Sequence, residues 1–350
     1  MKKFLALLLA LTMALALVAC GGGNDSSDTA TSGGDSESGF EPMTWKFACS
    51  ATETSPWVDG AKEFARIVGE KTGGAITVQY YPADQLTAGS QTDGIQALMD
   101  GTTEISMHSN LIWSSFDQRF NVVSLPFLFD SVEEADAALD GAGGEALGEI
   151  LENEYNVHLL GIAENGFRHI TNSKRPIQSL ADMNGLKIRV AGSQVLNRAY
   201  QLWGADYTNA NWSEVFTALQ TGTYDGQENP LPTADAASIQ GVQNYLTYWT
   251  GAYDCLFFCM NADLYNSLSP ELQAIVDEAG QEACTYEREL NRGQDQEIMD
   301  KWADAGVEVS ELSADAAAEF AEASAPVYDE FADELTPELI EAFTSVTQAE

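Results

Sequence analysis

Short apolar runs and amphipathic stretches alternate along most of this chain. Trp45 and Phe47 alternate with polar neighbours over 43–50, which predicts a strand. Ala61, Phe64, Ala65 and Val68 recur at helical spacing, so 57–71 reads as a helix ended by Gly73-Gly74. The run 75–81 reads as a strand stopped by Pro82. A helix over 92–99, a strand over 103–109, a helix over 132–154 and a strand over 157–163 follow, with Glu164-Asn165-Gly166-Phe167 as the turn after the last. The second half predicts a helical turn at 180–184, an alternating strand at 186–190, and helices at 193–203 and 212–220. An aromatic, strand-rich stretch at 244–260 precedes a long helix at 270–301, opposed only by Gly280 and Gly293, and an acidic helical stretch at 314–343. Strand–helix alternation of this kind predicts an α/β fold with parallel or mixed sheets covered by helices. No internal repeat is visible.

The first residues read as an address. Lys2 and Lys3 precede an apolar run, Phe4 to Val18, that is too short to span a bilayer, and Leu17-Val18-Ala19-Cys20 follows. This is a secretory signal at 1–19, and the cysteine at the cut resembles a bacterial lipoprotein box, which implies lipid on Cys20. The Gly-, Ser- and Asp-rich stretch that follows makes 20–42 a lipidated cysteine and flexible linker. Roughly 310 residues remain to fold, comfortable for two lobes.

Charge narrows the partners. Sixteen Lys and Arg face 54 Asp and Glu, a net of −38. Nucleic acid is excluded, because phosphate binding needs clustered basic residues. An anionic ligand must be held against this field, so an arginine in a cleft matters. Cys49, Cys255, Cys259 and Cys284 allow two disulfides in three connectivities, or serve as small buried apolar residues. On one strand, Cys255 and Cys259 would stand about 13 Å apart, too far to pair with each other. No Cys/His spacing suggests zinc, and no cofactor is expected.

Arg189 stands near the end of the 186–190 strand, where α/β folds place their crevices, and a guanidinium pairs with a carboxylate through two hydrogen bonds. The bland alternative is an arginine capping a strand end in solvent. Arg168 follows the Glu164–Phe167 turn, with a structural ion pair as its alternative. The segment from Ala218 to Pro230 ends in Gln227-Glu228-Asn229-Pro230, where Asn229 offers one donor and one acceptor, or simply forms a turn. Trp57, Trp113 and Trp212 are candidate walls. No nucleophile elbow or metal spacing supports an enzyme.

Taken together, the chain resembles the solute-binding subunit of TRAP transporters, the DctP-type family, from Met43 to about Leu312. The resemblance rests on Tyr81-Pro82 with Gln85-Leu86, Leu125-Pro126-Phe127, Asn165-Gly166-Phe167-Arg168 and Met183 through Val190. It continues in Ser213-Glu214-Val215-Phe216, Ala218 through Gly222 and Asp225 through Pro230. It implies a two-lobe, Venus-flytrap fold of the periplasmic-binding-protein kind, with mixed sheets and a long hinge-spanning helix. The lobes would be 43–165 plus 255–293 and 166–254 plus 294–350. The ligand would be a small organic acid, clamped by Arg189, with Arg168, Asn229 and Trp212 around it. Ser109 and Ile112 stand nearest the positions that line the sugar tail in sialic-acid binders, which argues against that ligand. Ser50 would be the near-terminal pocket position and Trp57 would close the mouth. Ala191, and the run Thr208-Asn209-Ala210-Asn211 before Trp212, lack prolines that many relatives carry. The implied partners are a small and a large membrane permease subunit, with the membrane reached only through the lipid and a monomeric state. The rival reading is an ABC-type or sensor-associated binding lipoprotein for an amino acid or sugar-like ligand.

Overall fold

A computed structural model describes residues 39–345. The expected signal at 1–19, the lipidated Cys20, the linker as far as residue 38 and the last five residues lie outside these. Eleven strands occur among the described residues: β1 Met43–Cys49, β2 Ile76–Tyr81, β3 Ile105–Ser109, β4 Val157–Phe167, β5 His169–Asn172, β6 Lys187–Val190, β7 Asp206–Asn209, β8 Gly226–Asn229, β9 Tyr245–Tyr248, β10 Tyr253–Asn261 and β11 Glu308–Glu311. They form two sheets, ordered β2-β1-β3-β10-β4 and β11-β9-β5-β8-β6-β7. The architecture is therefore the expected α/β, two-lobe one, and both sheets mix parallel and antiparallel pairs.

The first sheet is parallel from β2 through β1 to β3. The helix Pro56–Lys71 makes the β1–β2 crossover; Ser55 caps it and Pro56 opens it. β10 runs antiparallel between β3 and β4 and is buried at all nine positions, so its aromatic run Leu256-Phe257-Phe258 packs on both faces. In the second sheet the parallel strands β8, β6 and β7 direct their carboxyl ends to one edge.

The chain crosses between the sheets at β4–β5 and again at β9–β10. The two crossings are tied together, since Arg168 N donates to Ala252 O at 2.9 Å and Trp249 Nε1 donates to Arg168 O at 2.8 Å. The third crossing follows the long helix.

Several expectations need correction. The expected turn at Glu164–Phe167 is the end of β4. Gly166 adopts φ +108°, open to glycine, and a register shift at Asp254/Cys255 lets pairing with β10 continue. The single helix expected at 132–154 is two, Val132–Leu139 and Ala142–Glu154, parted at Asp140-Gly141. The long helix expected at 270–301 is Pro270–Arg292 followed by Asp295–Asp304. The first part packs on the helix Pro56–Lys71 and β4, the second on Leu231–Ala236 and β11, so the break at Gly293-Gln294 falls where the chain changes sheets. The stretch 314–343 is four helices, interrupted at Pro326, Phe331 and Thr336-Pro337. All four described cysteines are free and buried, which answers the disulfide question in favour of packing.

Candidate functional site

Between the sheets lies a cleft of about 340 Å³, its open mouth included. Strand ends build most of it. Ser50 follows β1, Ser109 ends β3, Arg189 sits one residue from the end of β6 and Asn229 ends β8. Trp212 is the first residue of the helix Trp212–Gln220, and Trp57 lies at the start of Pro56–Lys71. The seven residues expected at the site thus line one cavity.

The two arginines differ in surroundings. Arg168 is 3 % exposed and paired with two acids. Its Nε donates to Glu228 Oε2, its Nη1 to Asp254 Oδ2, and its Nη2 to Glu228 Oε1 at 3.0 Å, Glu228 O at 2.9 Å and Asn229 Oδ1 at 3.1 Å. Burial works against its charge, but the carboxylates of Glu228 and Asp254 more than offset that, and its pKa is raised. The structural ion pair weighed for it at the sequence level is therefore present.

Arg189 is as deeply buried, at 2 % exposure, yet no carboxylate pairs with it among the described residues. Its Nε and Nη2 both donate to Ala210 O, at 3.0 and 2.7 Å, and its guanidinium carbon lies 5.6 Å from the Trp212 ring centroid. Burial pulls its pKa down to about 10, with Arg168 adding like-charge repulsion and Glu228 opposing. A buried cation supported by one carbonyl and an aromatic face is a site prepared for an anion. A second donor is also idle, for the buried Trp57 Nε1 has no acceptor among the described residues.

Gln91, absent from the sequence-level site, bridges the cleft. Its Nε2 donates to Ser50 Oγ at 3.2 Å and its Oε1 accepts Trp212 N at 3.0 Å. Nearby, Ser213 Oγ donates to Gly89 O at 3.1 Å, and a side chain at Gly89 would meet Ser213 Oγ at 2.6 Å. Asn165, Thr233 and Asp254 also line the cleft, beyond the seven residues expected from the sequence. Asp254 carried a legible signal, an acid opening an otherwise apolar strand; Gln91 carried none. Trp113, expected as a wall, is wholly buried among Phe116, Phe120, Tyr155 and Phe257. No group of three or more His, Cys, Asp or Glu among the described residues is arranged to hold a metal ion.

Comparison with known proteins places this geometry. Residues 47–335 match the family described as bacterial extracellular solute-binding protein, family 7. The 2,3-diketo-L-gulonate-binding periplasmic protein YiaO of Escherichia coli is 32% identical over 274 residues, 78% of this chain and 83% of that protein. The sugar acid binding protein DctPAm of Advenella mimigardefordensis, solved with galactonate, superposes with a TM-score of 0.84 at 29% identity, over 88% of this chain and 98% of that one. A TRAP periplasmic solute-binding protein of Shewanella oneidensis, solved with succinate, gives 0.83 at 25% identity, over 88% and 100%.

Proposed function

The chain belongs to the bacterial extracellular solute-binding proteins of family 7, and from that membership we propose how it holds its ligand: the carboxylate of a small organic acid pairs with Arg189 in the cleft. It is a TRAP solute-binding protein for small organic acids. The observation that carries the Arg189 assignment is its buried guanidinium without a carboxylate partner. Trp212 stacks on that guanidinium, and Asn229 and Ser109 give hydrogen bonds to the rest of the ligand. Arg168 offers less than Arg189. Of its five N–H groups, Nε, both on Nη2 and one on Nη1 have acceptors, which leaves one for a ligand. Ser50 and Trp57 close the opposite wall, the indole N–H of Trp57 donating to the ligand.

Capture follows from placing these groups on two lobes, one built around each sheet, with the last two helices, Ala332–Leu335 and Pro337–Thr344, packed on 118–124 and 142–154 rather than on the second lobe as expected. Only the closed form presents Ser109 and Trp57 together with Arg189 and Asn229, so the ligand favours closure. Gln91, bonded to Ser50 and Trp212 N, helps hold that form. The closed monomer, anchored outside the cytoplasm by lipid on Cys20, docks on a permease of a small and a large membrane subunit and releases the acid.

A thermal-shift screen of residues 40–350 against organic acids, sugar acids and amino acids tests this. An acid at 100 times its Kd adds about 2.7 kcal/mol of stability. A carboxylate hit that vanishes in Arg189→Ala supports the reading; hits that are all uncharged, or that survive the substitution, remove it.

A further inference from the structure

The cleft holds an acid of its own. Asp254, wholly buried near the start of β10, lines the same cavity as Arg189 and is followed by six apolar residues, Cys255 to Met260. Its Oδ1 accepts Ser109 Oγ at 2.7 Å, and its Oδ2 accepts Asn165 Nδ2 at 2.7 Å and Arg168 Nη1. Burial raises its pKa, against the pull of Arg168 and of the Ser109 and Asn165 donors. Asn165 Nδ2 and Arg168 Nη1 can only donate, and the Ser109 hydroxyl donates as well, an arrangement that suits a carboxylate.

Charge in the cleft is therefore balanced before any ligand arrives. Glu228 and Asp254 share Arg168, and Arg189 is the one cation left unpaired among the lining residues, which include no lysine or histidine. One ligand carboxylate uses Arg189. A second would enter beside the Asp254 carboxylate, where the neighbouring cation, Arg168, is already shared by two carboxylates, and like charges brought together in a buried site are strongly unfavourable. A hydroxyl is the opposite case. An ionised carboxylate only accepts, and three donors leave Asp254 one acceptor position of about four. The Ser109 and Thr233 hydroxyls and the Asn165 amide supply the polar surroundings that a ligand hydroxyl needs.

We propose that Asp254 makes this site selective for hydroxylated monocarboxylates, sugar-acid-like ligands, over dicarboxylates of the same length. The inference rests on Arg189 as the carboxylate clamp. Asp254 meets the hydroxylated end and excludes a second carboxylate.

Calorimetric titration of residues 40–350 at pH 7.5 with carbon-matched pairs tests it: glycerate against malonate, erythronate against succinate, galactonate against galactarate. In the pair that binds best, the monocarboxylate is expected to be at least about tenfold tighter. In Asp254→Asn the gap narrows, as the diacid gains and the monocarboxylate loses. Asp254 also supports Arg168, so if that variant fails to fold the wild-type ratio decides by itself. A diacid that binds the wild type as tightly as its partner overturns the inference, as does a ratio unchanged in folded Asp254→Asn. Both leave the Arg189 clamp standing if binding still disappears in Arg189→Ala. Binding by no acid of either kind, or binding that survives Arg189→Ala, overturns the clamp and this inference with it.

Discussion

The guanidinium of Arg189 lies 5.6 Å from the ring of Trp212, and the carbonyl of Ala210 is its sole hydrogen-bond acceptor among the described residues. Nη1 has none, in a residue 2 % exposed. Removing this charge should hurt binding and not folding. Arg189→Ala is expected to weaken the best acid by about 30-fold or more, the usual cost of truncating a buried charge partner being about 2–5 kcal/mol. Arg189→Lys is expected to recover little, since an ammonium cannot present the planar fork. Calorimetry on both, with melting curves showing an unliganded variant at least as stable as wild type, checks this.

Arg168 should behave in the opposite way. It neutralises Glu228 and Asp254, both nearly inaccessible, so Arg168→Ala leaves two buried carboxylates without a cation. Breaking a buried pair by removing one partner costs about 3–5 kcal/mol. Urea unfolding of the unliganded protein is expected to show a loss of that order for Arg168→Ala and little for Arg189→Ala. Equal losses would contradict the distinction between them.

Asp295 follows the break in the long helix and accepts the Tyr248 hydroxyl at 3.0 Å. Burial raises its pKa to about 6, against the Tyr248 hydrogen bond. With a folded pKa above the unfolded one near 4, the ionised form is the costly one. The penalty is absent below about pH 4, grows as pH rises, and is complete above about 6. Asp295→Asn keeps the acceptor and removes the penalty. It should stabilise the protein by ~1–2 kcal/mol at pH 7.5, discounted for partial exposure, and by nothing at pH 4. Denaturant midpoints of both proteins at the two pH values measure it.

Burial raises the pKa of all four described cysteines, so none presents a thiolate to solvent. In residues 40–350, a thiol reagent at pH 8 should titrate almost nothing in the native protein and four thiols in denaturant, with no change on adding a reductant. A native thiol that reacts quickly would contradict the packing of β10.

Local pattern carried the elements that local pattern controls. The helix at 212–220 appears with its predicted bounds, because Gly222 ends it as helix chemistry requires, and β6 falls within the strand expected at 186–190. The β4 extension was hidden, since Asn165-Gly166 looks like a turn unless the antiparallel partner that holds it straight is known. Arg189 was legible as a position in a resemblance; its lack of a counter-ion was not. The acids that pair with Arg168 stand 60 and 86 residues away, and Gln91 reaches Trp212 across 121. Nothing in a linear pattern selects those partners from 54 acidic residues.

A crystal structure of residues 40–350 with the acid that stabilises them most would test the Arg189 clamp most directly. The ligand carboxylate is expected about 2.7–2.9 Å from Arg189 nitrogens, Nη1 among them, with the Ala210 bond retained or shared. A carboxylate held elsewhere in the cleft, with Arg189 still bonded to Ala210 alone, would contradict it.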